Sequence, residues 1–223
     1  MPNSDSTPRT LTLVLASGSP RRYELMTRFW PDWPVEVIKP ELDETSLLAA
    51  WTALPPDRQI EQLCAAKCDA LHRQVRLPAD YVVLTADTAV VVGGTILGKP
   101  ADAADAGRML RLLSGRTHQV LTGLYLDLCL QGQPLQLQAV ESTDVRFADL
   151  SDEQIDWYLA SGEPFDKAGA YGIQGLGAAL IETINGCYYN VMGLPVFRLM
   201  RLLEQARAHF ISTSTDFHLL PWN

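Results

Sequence analysis

The sequence predicts an α/β fold with a curved mixed sheet, in which long antiparallel strands are flanked by helices. Apolar segments typical of strands alternate along the chain with amphipathic segments typical of helices. A Gly93-Gly94 pair separates two strongly apolar runs, as the turn of a β-hairpin does. Residues 118–150 then predict two or three long strands with a turn near Gly132.

The first half of the chain predicts two short strands and two or three helical segments. Ser19 stands where a helix N-cap is expected, and Pro20 takes the first helical position, where a missing N–H does no harm. The predicted elements in order are a strand at 11–16, a helix from Pro20 to about Phe29, a short strand at "VEVIKP", a loop or short helix at 45–57 ended by Pro55-Pro56, and an amphipathic helix at 58–75.

The second half predicts a hairpin, long strands and three helices. Ser151 and Gln154 have the spacing of a capping box, which marks the start of a helix. The predicted elements are the hairpin "YVVLTADTAVVVGGTIL", a helix at 102–113 closed by Gly115, the long strands, a helix from Ser151 that stops at Gly162, a glycine-rich connector, and a final helix from about Pro195 to Ala208.

Composition limits the classes of protein to which the chain can belong. Of its 223 residues, 47% are hydrophobic and 20% are charged, as in ordinary globular proteins. The net charge of −8 argues against a nucleic-acid binder, yet local positive charge can still hold a small anionic substrate. No apolar run is long enough to cross a bilayer, so no membrane association is expected.

The chain termini indicate where the protein is located and how it is divided. The opening "MPNSDSTPRT" lacks the basic-then-apolar pattern of a secretion signal, which predicts a cytoplasmic protein. We expect a flexible leader at 1–10, a single domain at 11–208 and a C-terminal tail at 209–223.

Four cysteines occur, and two of them share a helical spacing with a histidine. Cys64, Cys68 and His72 recur every four residues and would lie on one face of a helix, as in a partial metal site. No CxxC pair or fourth ligand stands nearby, and cysteine is commonly buried. Free thiols in a reducing compartment are therefore the favoured interpretation, with Cys129 and Cys187 as the other two.

The stretch "SGSPRR" places two cations where a helix begins. The positive end of the helix dipole disfavours Arg21 and Arg22 unless an anion is bound there. Guanidinium groups bind phosphate in a bidentate manner, so we predict a phosphate site. The alternative is that both arginines are solvated surface residues.

A carboxylate interrupts one of the most apolar stretches, "VVLTADTAVVV". A buried Asp87 is unfavourable unless it is paired or coordinates a metal ion. Thr88 would lie on the opposite face of the strand. The alternative is a strand end or bulge, where Asp87 caps a neighbouring backbone group.

Three further charged residues are candidates for a functional site. Lys67 lies four residues from Leu63 and Leu71 and shares their apolar face, so it either extends outward to solvent or reaches an acidic or phosphate partner. Lys99 lies between a glycine and a proline just past the hairpin, and Glu44 follows the strand "VEVIKP".

The glycine-rich segment near residues 163–195 carries unexpected polar side chains. Dense glycine indicates turns and close approach of the backbone. A simple connector would not need the adjacent pair Asp166 and Lys167, or the isolated Gln174.

Five motifs in order resemble the Maf family of nucleoside triphosphate pyrophosphatases: "LASGSPRR", "ADT" followed by "ILGKP", "LSGRTHQVLTG", "SGEPFDKAGAYGIQG" and "YYNVMGLP". The resemblance covers roughly residues 11 to 205. It implies a Maf/ITPase-like catalytic domain with two lobes around a cleft. The motif "DKAGAYGIQG" resembles the subfamily that hydrolyses dTTP and UTP, and it differs from the sister group acting on 7-methyl-GTP.

The resemblance also implies roles for single residues. The chain is longer than the family pattern around "AAWTALPPDR". Asp87 matches the catalytic acidic residue, described as the proton acceptor. Arg22, Thr88 and Gln174 match positions associated with substrate choice. The residues that match the lining of the phosphate-binding cleft are Ser19, Arg21, Glu44, Lys67 and Lys99.

Residues and resemblance together predict hydrolysis of a nucleoside triphosphate to the monophosphate and pyrophosphate, with water attacking the α-phosphorus. The arginines and lysines would hold the triphosphate, while Asp87 and Glu44 would ligate Mg²⁺ or Mn²⁺ and Asp87 would activate the water. A house-cleaning role toward modified nucleotides and a link to cell-division arrest are further expectations. A homodimer is expected at the level of the family. The alternative is a nucleotide-sensing regulator of septum formation without significant turnover.

Overall fold

The computed structural model describes residues 11–210, so the predicted leader at 1–10 and the predicted tail beyond residue 210 lie outside the described residues. The strands of the described part are β1 (Leu13–Ala16), β2 (Val35–Val37), β3 (Tyr81–Val92), β4 (Thr95–Leu97), β5 (Thr117–Leu130), β6 (Gln133–Phe147) and β7 (Ile181–Asn185). The α-helices are α1 (Pro20–Phe29), α2 (Glu44–Ala50), α3 (Pro56–Gln74), α4 (Ala103–Leu113), α5 (Asp152–Ala160), α6 (Tyr188–Met192) and α7 (Val196–Phe210).

The strands form one mixed sheet in the order β2-β1-β3-β5-β6-β7, with β4 paired to β3. β1 runs parallel to β2 and β3, whereas β3, β5, β6 and β7 pair in antiparallel fashion. The central strands β3, β5 and β6 are long, with 12, 14 and 15 residues. The predicted α/β fold with a mixed sheet of long antiparallel strands and flanking helices is confirmed.

An interruption on one side of β3 creates the opening in which the candidate site lies. β1 pairs only with residues 82–85 of β3, and β4 pairs only with residues 90–92. Within the described part of the chain, residues 86–89 have no strand partner on that side, although Asp87 faces Gly123 of β5 on the other side. The end of β1, where the chain turns into α1, therefore lies next to Asp87.

Helices cover both faces of the sheet, which explains why β3 is apolar on both faces. Two apolar clusters share one face: the first packs α1 and α7 on β1, β3 and β5, and the second packs α4 and α5 on the far halves of β3, β5 and β6. α3 covers the opposite face. α3 approaches β5 closely at Gly123, which has no side chain. A Cβ at this position would lie only 2.7 Å from Ile60 Cγ2.

Local signals account for most element boundaries. The capping box is present, since Ser151 N donates to Gln154 Oε1 at 2.9 Å and Gln154 N donates to Ser151 Oγ at 3.3 Å. Gly93 and Gly94 adopt φ values of 56° and 79°, as a two-residue hairpin turn requires. No helix among residues 11–210 is long and apolar enough to span a membrane.

Three predicted boundaries were wrong. Pro56 begins α3 instead of ending the element before it, because proline at the first helical position gives up no hydrogen bond. The glycine-rich connector contains a strand, β7, which pairs with β6, and a short helix, α6. The final helix extends to Phe210, where it buries a last aromatic ring.

Candidate active site

A buried lysine joins two carboxylates beside the opening along β3. Lys67 Nζ lies 2.5 Å from Asp87 Oδ1 and 3.1 Å from Glu44 Oε1. The Lys67 side chain is 8% exposed and the Glu44 side chain 47%, so the cluster runs from the interior to the surface. The alternative of a lysine extended to solvent is wrong, and Asp87 caps no strand end because β3 continues to Val92.

The two carboxylates keep the lysine charged. Burial by itself lowers the pKa of Lys67, but the negative charges of Asp87 and Glu44 outweigh it and hold the pKa above its ordinary value. Lys67 is therefore an ammonium group at neutral pH. One ammonium for two carboxylates leaves this cluster with a net negative charge, which favours the arrival of a further cation.

Arg22 lies on the other face of β3, in a neutral polar environment. Its Nε donates to Gly193 O at 2.8 Å, Nη1 to Ser17 Oγ at 3.1 Å and Nη2 to Thr88 Oγ1 at 3.0 Å. Burial lowers the pKa of Arg22, and the charge of Asp87 is the largest opposing influence. No salt bridge to Arg22 occurs within residues 11–210, so a bound anion would supply the missing counter-charge. The alternative that both arginines are solvated is wrong for Arg22, which is 9% exposed.

The first turn of α1 has the features of an anion site. Ser19 is the N-cap as predicted, but its side chain makes no capping hydrogen bond, so the hydroxyl is available to a ligand. Its backbone N donates to Ser17 Oγ at 3.2 Å. The turn contains no acidic residue, and Arg21 is half-buried there. The helix dipole and the arginines therefore add their positive charges at one point.

A chain of hydrogen bonds holds Thr88 in place behind the arginine. Thr88 Oγ1 lies 2.9 Å from Thr122 Oγ1, and Thr122 Oγ1 donates to Asn190 O at 3.0 Å. The Asn190 side chain is fully buried and donates to Val120 O and to Thr143 Oγ1. This chain links α6 to β3, β5 and β6 beneath Arg22.

A carboxylate and a phenol shape the glycine-rich segment. Glu163 accepts hydrogen bonds from the backbone N–H groups of Leu176, at 3.0 Å, and of Gly177. Tyr158 Oη accepts from Gly172 N at 3.2 Å, and burial raises the pKa of this phenol to about 12. These contacts hold the backbone on both sides of Gln174.

The predicted pair Asp166 and Lys167 is an ion pair that braces the same segment. Lys167 Nζ lies 2.6 Å from Asp166 Oδ1 and donates to Glu163 O at 2.6 Å. A Cβ at Gly172 would lie 2.9 Å from the Lys167 side chain and 3.5 Å from Arg21 Nη1. The glycine therefore lets this segment approach the first turn of α1.

The structure groups most of the predicted site residues and leaves two of them apart. Lys67, Asp87 and Glu44 form one contact group, while Arg22 and Thr88 form a second across the strand. Within residues 11–210, the side chains of Lys99 and Gln174 make no hydrogen bond or ion pair, with Lys99 exposed and Gln174 half-buried.

Sequence reasoning missed four residues that support the site: Ser17, Glu163, Asn190 and Gly193. All four lie inside the quoted motifs, so their position was a usable signal. Glu163 nevertheless resembles any acid at the end of a helix. Gly193 contributes a backbone carbonyl, which every residue has, so its residue type does not reveal the contact.

Oxygen ligands for a hard cation are present at Asp87 and Glu44. Mg²⁺ usually binds to one or two carboxylates and completes its shell with waters and substrate phosphates, which fits this donor set. In residues 11–210 a separate group, Cys68, His72 and Asp127, also has the composition of a metal site. Cys64 does not belong to it, and burial raises the pKa of the Cys64 thiol to about 12. None of the four cysteines forms a disulfide.

A cavity of about 400 Å³ lies elsewhere, between the start of α3 and the β3–β4 turn. It is lined by Pro56, Asp57, Val91, Gly93, Gly94, Thr117, His118, Gln119 and Leu121. None of the predicted site residues lines it, so the side-chain clusters along β3 define the candidate site.

Comparison with known proteins agrees with the resemblance seen in the motifs. A dTTP/UTP pyrophosphatase of Symbiobacterium thermophilum is 52% identical over 193 residues, 86% of this chain and 93% of that protein. Proteins with the same description from Ralstonia nicotianae and Cupriavidus metallidurans are 47% and 44% identical, over 87% and 90% of this chain and 93% and 100% of their own lengths.

A solved structure, a nucleoside-triphosphatase or dITP/XTP pyrophosphatase from Mycobacterium abscessus, is 13% identical with a TM-score of 0.41, covering 93% of this chain and 100% of that one. This likeness is too distant to support a conclusion. The Maf-like protein family, in contrast, matches residues 12–206. With nearly the whole described chain inside that match and relatives at about half identity, the chain belongs to the Maf family.

Proposed function

We propose that the protein hydrolyses dTTP and UTP to the nucleoside monophosphate and pyrophosphate. The observation that carries the proposal is the Lys67–Asp87–Glu44 cluster, which lies across β3 from a buried arginine without a carboxylate partner among residues 11–210. The names of the three relatives agree with this substrate class. The cluster supplies negative charge for a metal and a base, and the arginine supplies positive charge for phosphate.

The positively charged residues around the opening would bind the phosphates. The first turn of α1 offers Arg21, the Ser19 hydroxyl and the positive end of the helix dipole. Lys99 is exposed and engaged by no described residue, so it is available to reach the terminal phosphates. Arg22 stays bound to Thr88 and Gly193 and contributes its charge from a fixed position.

Asp87 and Glu44 would hold a divalent ion, Mg²⁺ or Mn²⁺, together with oxygens of the substrate. Such an ion supplies neutralisation of the charge that develops on the phosphates. Lys67 fixes Asp87 Oδ1 through the 2.5 Å contact, which leaves the second oxygen of that carboxylate for other partners. The rigid contact determines in which direction this second oxygen points.

Asp87 would also accept the proton of the attacking water. Its side chain is 18% exposed, so water reaches it while β3 and α3 enclose the rest. Lys67, whose ammonium group lies between the carboxylates of Asp87 and Glu44, would add positive charge beside the reacting phosphate.

Base selection would depend on Gln174. Thymine and uracil present two carbonyl acceptors that flank an N3–H donor, and a glutamine amide pairs with one carbonyl and the N3–H together. Cytosine has an acceptor at N3 and an amine donor at C4, so the same glutamine amide would leave buried groups unpaired. The backbone is held on both sides of Gln174 by the hydrogen bonds of Gly172 N and Leu176 N, which positions the start of this side chain.

The test is a panel of nucleoside triphosphates incubated with the full chain and Mg²⁺ or Mn²⁺, with monophosphate and pyrophosphate quantified together. Release of equal amounts of both from dTTP and UTP, with CTP and purine triphosphates slower, supports the proposal. Nucleotide binding without pyrophosphate release would instead indicate the sensing regulator. Release of orthophosphate would overturn the proposed site of attack.

A further inference from the structure

A second group of ligating side chains lies on the α3 face of the sheet, away from the candidate active site. His72 Nε2 lies 2.7 Å from Asp127 Oδ2, and Cys68 Sγ lies 3.8 Å from the same oxygen. The three ligand atoms all fall within 4.8 Å of one another. Asp127 is four residues along β5 from Gly123, the partner of Asp87, so the backbone positions of the two aspartates are separated by about 13 Å along the strand direction.

Asp127 is a buried carboxylate that lacks a permanent cation. Its side chain is 3% exposed, and within residues 11–210 no lysine or arginine forms a salt bridge with it. Burial and then the negative charge of Asp127 raise the pKa of Cys68 and also that of Tyr81, which packs edge-on against His72. The share of Asp127 in both shifts reflects its negative charge, which a bound positive ion would compensate.

We propose that Cys68, His72 and Asp127 bind one thiophilic divalent ion, Zn²⁺. One thiolate, one imidazole and one carboxylate are ligands that zinc accepts, and water would take the fourth position. The sulfur and the imidazole disfavour Mg²⁺ and Mn²⁺, which the oxygen pair at Asp87 and Glu44 suits better.

The geometry needs only small adjustments. Tetrahedral zinc with bonds of about 2.0–2.3 Å separates its ligand atoms by about 3.3–3.7 Å. The Cys68–Asp127 distance of 3.8 Å is already close to this value. The His72 side chain is 37% exposed, so it has room to open its 2.7 Å contact and to admit the ion from solvent.

Binding would tie the last turns of α3 to the second half of β5. Cys68 and His72 are one helical turn apart and Asp127 comes from the facing strand, so the ion would replace their present hydrogen bonds with metal bonds between the two elements. α3 also carries Lys67, the residue before Cys68. The expected consequence is a more stable helix, with no role for the ion in the chemical step.

The test uses the full chain, free of any affinity tag and stripped with a chelator. Co²⁺ is added as a spectroscopic substitute, since a thiolate ligand produces a charge-transfer band that oxygen ligands do not. Zn²⁺ at about 100 times its Kd should raise the melting temperature by about 5–10 °C. We expect one equivalent of Co²⁺, its displacement by Zn²⁺, and no displacement by Mg²⁺.

Variants of Cys68 and His72 test whether these residues produce the cobalt band and the thermal shift. Cys68→Ser and His72→Gln should each abolish the band and the thermal shift, and His72→Gln, at a partly exposed site in the last turn of α3, should fold normally. Cys129→Ser, which removes a thiol on β5, should retain both the cobalt band and the thermal shift. Absence of a thiolate band in the wild type, or a band unchanged in both variants, would overturn the proposal.

This inference stands apart from the proposed function. Asp87→Asn should keep the cobalt band while losing pyrophosphate release, and Cys68→Ser should keep pyrophosphate release. Loss of the band in Asp87→Asn would mean that the ion occupies the candidate active site, which would also overturn the inference.

Discussion

Lys67 Nζ lies 2.5 Å from Asp87 Oδ1, which places a buried ammonium group on the carboxylate of the most apolar long strand. An unpaired charge would be unfavourable at either position, and the ion pair compensates the charge of both residues. Glu44, at 3.1 Å, extends the pair to the surface.

Asp87→Asn should abolish turnover and preserve the fold. The amide keeps the size of the side chain but loses the charge and basicity needed to accept a proton, so kcat should fall on the order of 100-fold or more. Steady-state kinetics with saturating metal and a circular dichroism spectrum measure both effects. Asp69→Asn, an exposed carboxylate on α3, is the control. Near-normal activity in folded Asp87→Asn would exclude Asp87 as the base.

Lys67→Met should lower stability and make the protein respond more strongly to metal. Removing the ammonium leaves Asp87 and Glu44 without their shared cation, at an expected loss of about 1–3 kcal/mol in the free energy of unfolding. If these carboxylates hold Mg²⁺ or Mn²⁺, the ion should recover more of the melting temperature in the variant than in the wild type. An equal metal effect in both proteins would place the ion elsewhere.

Arg22→Ala and Arg21→Ala should weaken stabilisation by phosphate. Pyrophosphate should raise the melting temperature of the wild type by mass action, and each variant should show a smaller rise relative to its own ligand-free value. Arg28→Ala, an exposed arginine in the last turn of α1, serves as the matched control. The phosphate assignment fails if the three variants and the wild type all shift equally.

Gln174→Ala should reduce base selectivity more than it reduces the best rate. Each mispaired buried group contributes roughly 1–3 kcal/mol to discrimination, so the preference for UTP over CTP should shrink about tenfold or more. The ratio of kcat/KM for the two substrates is the measurement, with Gln138→Ala on an exposed position of β6 as control. A wild-type preference for purine triphosphates would contradict the assignment of Gln174 itself.

His118 should make the protein acid-sensitive. Burial lowers its pKa to about 4, and its Nε2 lies 2.7 Å from Tyr171 Oη. The unfolded chain therefore binds the proton first as the pH falls, so stability is fully present above about pH 6.5 and is lost between about pH 6.5 and 4.

His118→Gln should flatten this part of the pH profile. Urea unfolding at pH 7.5, 6 and 4.5 measures the slope in the variant and in the wild type. The same slope in both proteins would show that other groups cause the acid sensitivity.

Much of the architecture could be predicted because its signals are local. The capping box at Ser151, the hairpin turn at Gly93-Gly94 and Pro20 at the start of α1 each depend on neighbours within a few residues. The glycine-rich segment was harder, because β7 forms only by pairing with β6, a partner distant in the sequence. The cytoplasmic location, the homodimer and the link to cell division stay predictions.

By itself the sequence determined the fold class, the family and which charged residues stand at unfavourable positions, since apolar periodicity exposes a misplaced charge such as Asp87 or Lys67. Only the tertiary structure decided what those charges meet. Lys67 reaches Asp87, twenty residues away, because Gly123 lets α3 approach β5, and Arg22 reaches Gly193 through the chain reversal at α6. Such contacts depend on distances in space between residues far apart in the chain, and a periodic pattern in one segment carries no information about them.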